Sequence, residues 1–184
     1  MRRAQVLLLV LVLAAGAVAA GGCGDTSRAK EYMEKGDELS LKLSGYTDDA
    51  GFDALAFLSK LGVEFADTGG ISSDTVIDEA RSQIESLNAE GDKAIAEYEK
   101  ILGLSGVDDY KQYAEYRIAA VEAEMEVLAA VDDLLDRLAG APEGTSLKDS
   151  VTGWAKANTG AAVAAVKAFT NSLDAANLKK DKGL

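Results

Sequence analysis

The stretch that decides the fold is IDEARSQIESLNAEGDKAIAEYEKI, residues 77–101. Apolar or small residues recur in it at alternating intervals of three and four, and charged or polar residues fill the other positions. The recurring set is Ile77, Ala80, Ile84, Leu87, Gly91, Ala94, Tyr98 and Ile101. This heptad spacing places one stripe along a helix, so it predicts a long helix over 74–103 with that stripe facing a core.

A second long helix is predicted immediately after the first. Ser105 followed by Asp108 resembles a capping box at its start, and Gly140 with Pro142 ends it. Its expected buried stripe consists of Ala114, Ile118, Val121, Met125, Leu128, Val131, Leu135 and Leu138.

A third helix is predicted to begin at Ser146, which again has an acid, Asp149, three residues later. Its stripe is expected to continue without a change of face through Leu147, Val151, Trp154, Asn158, Ala162, Val166, Phe169, Leu173 and Ala176. Gly160 is a weak point, because glycine destabilises a helix interior by about 1 kcal/mol relative to alanine. Asn158 either sets the register of the helices or marks this local irregularity.

The region 27–66 contains two shorter stripes separated by SGYTDDAG at 44–51. The first comprises Ala29, Tyr32, Gly36, Leu39 and Leu43, and the second comprises Phe52, Leu55, Leu58, Leu61 and Phe65. Either one kinked helix or two helices fit this pattern. The lengths of the segments predict an all-α fold, an elongated antiparallel helical bundle of four arms with the first arm kinked or split.

The charge of the chain excludes one class of partner. It has 184 residues with 19 Lys and Arg against 31 Asp and Glu. Without Arg2 and Arg3, 17 basic and 31 acidic residues remain, a net charge of −14. Nucleic-acid binding needs clustered basic residues that replace the counterions of phosphates, so no nucleic-acid partner is expected.

The first residues, MRRAQVLLLVLVLAAGAVAAGGCGD, have the layout of a secretory signal peptide: a basic pair, an apolar run and small residues. Ala20, Gly21 and Gly22 before Cys23 resemble a bacterial lipobox, although the family pattern more often has leucine at the place of Ala20. The resemblance implies that Cys23, the one cysteine, carries diacylglycerol. Two alternatives remain: cleavage after Ala17-Val18-Ala19, which releases a secreted protein, and an uncleaved anchor.

These features predict four parts of the chain. They are a cleaved signal peptide at 1–22, a lipidated tether at 23–26, a helical bundle domain at 27–179 and a basic C-terminal tail at 180–184. The lipoprotein resemblance implies an exported protein held at the cell membrane or envelope by its acyl chains.

Recognisable catalytic chemistry is sparse. The chain has no histidine, which excludes Ser-His-Asp and Cys-His catalysis, and it has no nucleotide-binding glycine motif. Ser27 and Lys30 match S-x-x-K without its companion motifs, and we interpret them as a helix start. The acidic groups at 48–53, 108–109 and 132–136 resemble solvated helix faces more than a calcium loop or a carboxylate pair. No catalytic, metal or cofactor residue is therefore assigned.

With four antiparallel arms, the turn at 103–107 and the C-terminus return to the end where Cys23 lies. Four tyrosines and three lysines would then lie near the membrane: Tyr98, Tyr110, Tyr113, Tyr116, Lys179, Lys180 and Lys182. Packing around the helix turn and a hot spot for a partner are the two interpretations of the tyrosines.

The sequence as a whole predicts a membrane-anchored, non-catalytic helical body that interacts with an envelope protein or cell-wall polymer. The alternative is a lipoprotein that binds a small apolar or cationic ligand between its helices, in a pocket lined by aromatic and methionine side chains. An enzyme is the third hypothesis, and it would need convergent carboxylates with raised pKa values.

Overall fold

The computed structural model describes residues 24–43, 58–59, 74–140 and 146–184. Cys23, the leader before it and the acidic segment at 48–53 lie outside these ranges. The question of whether the first arm is kinked or split also falls largely outside them, because 44–57 and 60–73 are not described.

The described part of the chain is built from helices. Residues 24–43 form α1, and α2 follows at Asp74–Leu102. Helix α3 spans Asp108–Ala139, α4 spans Leu147–Ala157 and α5 spans Thr159–Lys182. Residues 58–59 are also helical, and no described residue is in a strand. The predicted all-α bundle is confirmed.

Contacts between the helices show that they alternate in direction. The carboxylate of Asp25 accepts a hydrogen bond from the backbone N–H of Ser105 in the α2–α3 turn, at 3.2 Å. At the opposite end, Arg81 of α2 forms an ion pair with Asp136 near the end of α3. Lys182 lies 3.0 Å from Asp109, which brings the end of α5 to the start of α3. Helices α1 and α3 therefore run one way, and α2 and α5 run the other way.

The buried stripe predicted for α2 is confirmed at every position. All eight residues from Ile77 to Ile101 are buried, and Tyr98 and Ile101 are fully buried. Gly91 is part of this stripe because Met125 of α3 packs over it, with its sulfur 2.8 Å from where a Cβ would lie. The small residue thus lets a bulky side chain of the neighbouring helix fill the core.

The start of α3 differs from the prediction. Val107 is the N-cap residue, and its side chain makes no capping hydrogen bond, whereas Ser105 was expected to form a capping box. The reason lies in the turn: Gly106 has a φ of +69°, and the N–H of Ser105 is directed to Asp25. The backbone of Ser105 therefore links the α2–α3 turn to α1 through Asp25.

The third predicted helix is broken at Asn158, whose φ of −113° and ψ of 52° separate α4 from α5. Gly160, marked as a weak point, lies two residues after this break. Asn158 donates a hydrogen bond from Nδ2 to the carboxylate of Asp133 at 3.2 Å. Asn158 therefore marks the break between α4 and α5, and its side chain links this break to α3 through Asp133.

Because of the break, the stripe predicted for this arm changes face. Trp154 is buried as expected, but the continuation on α5 is wrong, because Val166, Phe169 and Leu173 are exposed. The buried face of α5 is made of alanines, and these are Ala161, Ala164, Ala165, Ala168 and Ala175. Alanines let two helices approach closely, and α5 packs mainly on α3 in this way.

Gly36 of α1 packs directly against the aromatic ring of Tyr98. A Cβ added there would lie 2.5 Å from Cε1 and 2.7 Å from Cζ of Tyr98. The ring has no room to move, because it is fully buried and its hydroxyl donates a hydrogen bond to Asp37. Gly36 is therefore required for α1 to pack against α2.

We expect Gly36→Ala to lower the free energy of unfolding by about 1–2 kcal/mol, because overpacking outweighs alanine's better helix propensity. The matched control is Gly153→Ala in α4, where nothing lies within 4 Å of the added Cβ. That control should gain up to about 1 kcal/mol. Urea denaturation followed by circular dichroism measures both, and equal effects would contradict this account of α1 packing.

Candidate functional site

A cluster of polar side chains lies inside the bundle around Asp37 of α1. Its Oδ1 accepts hydrogen bonds from the hydroxyls of Tyr98 at 2.8 Å and Tyr113 at 2.6 Å. Its Oδ2 accepts a hydrogen bond from Nζ of Lys179 at 2.7 Å. These donors belong to α2, α3 and α5, so one carboxylate joins all four long helices.

Arg117 of α3 supplies the second centre of the cluster. Its Nε donates to the hydroxyl of Tyr98 at 3.1 Å and lies 3.8 Å from Oδ1 of Asp37. One terminal nitrogen donates to Ser172 of α5 at 3.2 Å, and the other donates to Ser40 of α1. The fixed fork of the guanidinium thus directs its donors to α1, α2 and α5.

Aromatic rings enclose these charges. Tyr98 and Tyr113 meet edge to face, with ring centroids 6.4 Å apart and planes at 64°. The guanidinium carbon of Arg117 lies 5.9 Å from the centroid of Tyr98, and Nζ of Lys179 lies 5.6 Å from that of Tyr113. Each cation therefore contacts both the carboxylate and the negative face of a ring.

Burial raises the pKa of both phenols, so they hold their protons more tightly than exposed tyrosines do. Burial raises the pKa of Tyr98 to about 12, although the positive charge of Arg117 opposes the rise. Burial also raises the pKa of Tyr113, and the hydrogen bond that it donates to Asp37 adds to the effect. Both tyrosines are thereby available as donors to Asp37. The cluster holds one carboxylate against two cations.

The chemical capacity of this cluster is to fasten helices. Both oxygens of Asp37 are engaged, and both phenols use their single proton on that carboxylate. A base that abstracts a proton from a substrate must be within reach of it, and these atoms contact protein groups instead. Sequence reasoning placed Tyr98 on the buried stripe and expected Tyr113 and Lys179 near the membrane, but it did not find Asp37 or Arg117.

The sequence indicates only part of the Asp37 cluster. Asp37 follows Gly36, and Arg117 precedes Ile118, so each charge sits directly beside a residue of a predicted buried stripe. Such a position allows a long or hydrogen-bonded side chain to turn inward. Which charge meets which tyrosine depends on the relative rotation of four helices, and one sequence does not specify that rotation.

Among the described residues, four of the acids singled out in the sequence form ion pairs: Asp109, Asp132, Asp133 and Asp136. Asp132 and Asp136 both pair with Arg81, and Asp133 accepts a hydrogen bond from Arg137 at 3.0 Å. Asp109 pairs with Lys182. Over the residues that the structure describes, no group of three or more potential ligands could hold a metal ion.

The remaining candidate positions are placed as follows. Ser27 is exposed on α1, and Lys30 lies 3.9 Å from Glu34 one turn later; both lie within the helix, which is already formed at residue 24, so Ser27 is not its first residue. Tyr98 and Tyr113 are buried, so packing is the correct interpretation for these two, and they do not face a membrane. Tyr110 and Tyr116 are half-buried.

Comparison of the chain with models of protein families, with curated proteins and with solved structures gives no match. Within the described ranges, no helix combines the length and apolar character needed to cross a membrane.

We expect Asp37→Asn to lower the free energy of unfolding by about 2–4 kcal/mol. The change leaves Arg117 and Lys179 without their counter-ion, and breaking a buried ion pair from one side destabilises by about 3–5 kcal/mol. Asp37 keeps 23% of its side chain exposed, so solvent reduces the effect.

The control for Asp37→Asn is Glu38→Gln, the neighbouring acid, which is exposed on α1. Its effect should stay within about 0.5 kcal/mol. Chemical denaturation of both variants at neutral pH measures the difference. Two variants of equal stability would show that the cluster does not fasten the helices.

The raised pKa of Tyr98 predicts a loss of stability in alkali. The unfolded chain releases this proton near pH 10, whereas the folded chain retains it to about pH 12. Between these values the folded state binds more protons, so stability falls with rising pH by about 1.4 kcal/mol per unit from Tyr98 alone.

Urea denaturation between pH 9 and pH 11.5 should show this decline, and Tyr98→Phe should show a shallower one. The variant has a lower starting stability because it loses the hydrogen bond to Asp37, so the slope is the informative quantity. Parallel slopes for the two proteins would contradict the assigned titration.

Proposed function

We propose that this chain is an exported lipoprotein, anchored in a membrane by a lipid on Cys23. Its helical body has a non-catalytic role and presents its surface to an envelope protein or to cell-wall polymer. Two or three acyl chains on one cysteine hold a protein firmly at a membrane, whereas a single chain does so only marginally.

The observation that carries the proposal is the position of Asp25. This residue is two positions after Cys23, and its carboxylate binds the α2–α3 turn through Ser105. Lys182, at the end of α5, pairs with Asp109 just after the same turn. A lipid anchor on Cys23 would therefore be attached next to the end of the bundle where α1, the α2–α3 turn and α5 are held together.

The hydrogen bonding of the Asp37 cluster and the packing of the described interior support a non-catalytic role. The polar groups of the Asp37 cluster form hydrogen bonds within it. Lys179 donates to Asp37, and Arg117 donates to the hydroxyls of Ser40 and Ser172. Met33 is buried, and Met125 packs over Gly91, so these methionines fill the core between helices. Binding of a ligand between the helices gains no specific support from this packing.

The outer surface supports an interaction role through its charge. Residues 23–145 contain 11 Lys and Arg against 28 Asp and Glu, a net charge of −17. Exposed acids recur along α1, α2 and α3, with Glu34, Glu85 and Glu122 as examples. Such a surface favours partners that carry positive charge and disfavours other acidic polymers.

We expect Cys23→Ser to move the protein from the membrane fraction to the soluble fraction, because serine lacks the thiol that receives the lipid. Phase separation in detergent and mass spectrometry of the mature N-terminus measure the change. The matched control is Ser27→Ala on exposed α1, which should remain in the membrane fraction with an acylated Cys23.

Three N-termini distinguish the hypotheses in that experiment. An acylated Cys23 supports anchoring, an unmodified Ala20 supports ordinary secretion, and an intact Met1 supports an uncleaved anchor. Cross-linking in intact cells then tests the role. One recurrent protein or a cell-wall fragment joined to wild type but not to Cys23→Ser is expected, and only random abundant neighbours would contradict the interaction role.

A further inference from the structure

The outer face of α5 carries large apolar side chains that nothing in the described structure covers. Val163, Val166, Phe169 and Leu173 keep 68%, 61%, 42% and 48% of their surface exposed. Elsewhere in the described chain only Leu41 and Leu102 are comparable, and each stands alone on its helix. We call these four residues of α5 the outer stripe.

The outer stripe lies opposite the alanine face that packs on α3. Its residues follow one another at intervals of three or four, which keeps them on one side of the helix. Exposed Ala162 lies one turn before Val166 and exposed Ala176 lies three residues after Leu173, so both are on the same side, which also contains the exposed Thr170. A cluster of exposed apolar residues marks a site of interaction, whereas singly scattered apolar residues are ordinary.

The C-terminal segment that contains the outer stripe carries a net positive charge, and two of its lysines, Lys179 and Lys182, pair with Asp37 and Asp109. Residues 146–184 contain six lysines and three aspartates, a net charge of +3, against −17 for residues 23–145. Lys167 and Lys180 are exposed, Lys167 next to Val166 in the chain and Lys180 two turns beyond Leu173 on the same side. Apolar side chains accompanied by lysines are the composition of helices that lie in the headgroup region of a membrane.

We propose that the outer stripe of α5, with Lys167 and Lys180, docks on an anionic lipid surface, so that the bundle lies along the membrane. This inference rests on the proposed function, because the anchor at Cys23 supplies the surface. The end of α5 lies at the same end of the bundle as Asp25, so anchor and stripe can reach one surface together.

Two physical points favour lipid over a second copy of the chain. A stable protein interface involves about 20–30 residues on each side, and a stripe one helix wide offers far fewer. An amphipathic helix, in contrast, needs only one apolar side and flanking lysines to lie in a lipid interface. The acidic surfaces of α1–α3 do not prevent this, since the Debye length of about 8 Å is shorter than the diameter of one helix.

The test uses the mature lipidated protein reconstituted in vesicles that contain phosphatidylglycerol. Since acylated Cys23 leaves no other thiol, an environment-sensitive fluorophore can be attached at Val166→Cys. Glu122→Cys, on an exposed position of α3, is the matched labelling control. Lipids with a spin label on the acyl chain should quench the probe at 166 and leave the probe at 122 unchanged.

Variants then test the chemistry of docking. Phe169→Glu should reduce quenching at 166 to the level of the control, while Leu41→Glu, at a 70% exposed position of α1, should have no effect. Lys167→Gln and Lys180→Gln should each lower the docked fraction about fivefold relative to the free fraction, as expected for one lysine at an anionic surface. The probe at 166 should likewise be quenched less in vesicles of phosphatidylcholine alone than in vesicles that contain phosphatidylglycerol.

Three results would overturn the proposal, and each is distinguishable. If the protein floats with the vesicles but the probe at 166 is not quenched, docking is wrong and anchoring stands. If the protein does not float with the vesicles, the anchoring proposal is wrong, and the docking proposal, which depends on it, is wrong as well. If the probe at 166 becomes shielded without vesicles as protein concentration rises, a second copy covers the outer stripe.

Discussion

The packing of the four long helices depends on one partly buried negative charge, the carboxylate of Asp37, which keeps 23% of its side chain exposed. Such a group is stable inside a protein only when hydrogen bonds and opposite charges replace the water that it loses. No single neighbouring helix provides enough of them here: Tyr98 comes from α2, Tyr113 and Arg117 from α3, and Lys179 from α5. A shift of α1, α3 or α5 along its axis would separate Asp37 from a cation, and a shift of α2 would remove the hydrogen bond from Tyr98, so this requirement favours one register for the bundle. Hydrophobic stripes alone are less selective, because a helix displaced by a heptad still buries apolar residues.

The packing of α5 follows a different rule. Its buried side chains are alanines, which contribute little apolar area but let the helix axes come close. The large apolar residues of α5 are consequently displaced to the outside. In an ordinary amphipathic helix the larger side chains would face the core, because burial of each stabilises the fold by about 1.5–3 kcal/mol. Val166 and Phe169 remain exposed to water, so the bundle does not gain this burial free energy from them. Their exposure is explained if the outer stripe contacts something outside the bundle.

Sequence reasoning recovered those parts of the fold that depend on local periodicity. The stripe of α2 was found residue by residue, and the ends of α3 near Gly140 and of α2 near Gly103 follow from helix termination. It failed for α5 because a single non-helical residue, Asn158, changes the face that the following residues present. The Asp37 cluster was missed for a related reason: its members are separated by up to 142 positions, and their meeting is decided by helix rotation. The anchor signal at Cys23 is local in sequence, but the described residues begin after it, so it stays a prediction.

The interior cluster and the exterior stripe are two consequences of one rotation of α5. Lys179 reaches Asp37, and Ser172 reaches Arg117, only when the side of α5 that contains them faces the bundle. Ala168 and Ala175 lie on that same side, so it is also the side that permits close packing on α3. Once this side is turned inward, the residues roughly half a turn away, Val166 and Leu173 among them, must point outward. The pairing of Lys179 with Asp37 therefore fixes the rotation of α5 and, with it, the orientation of the apolar face that α5 presents.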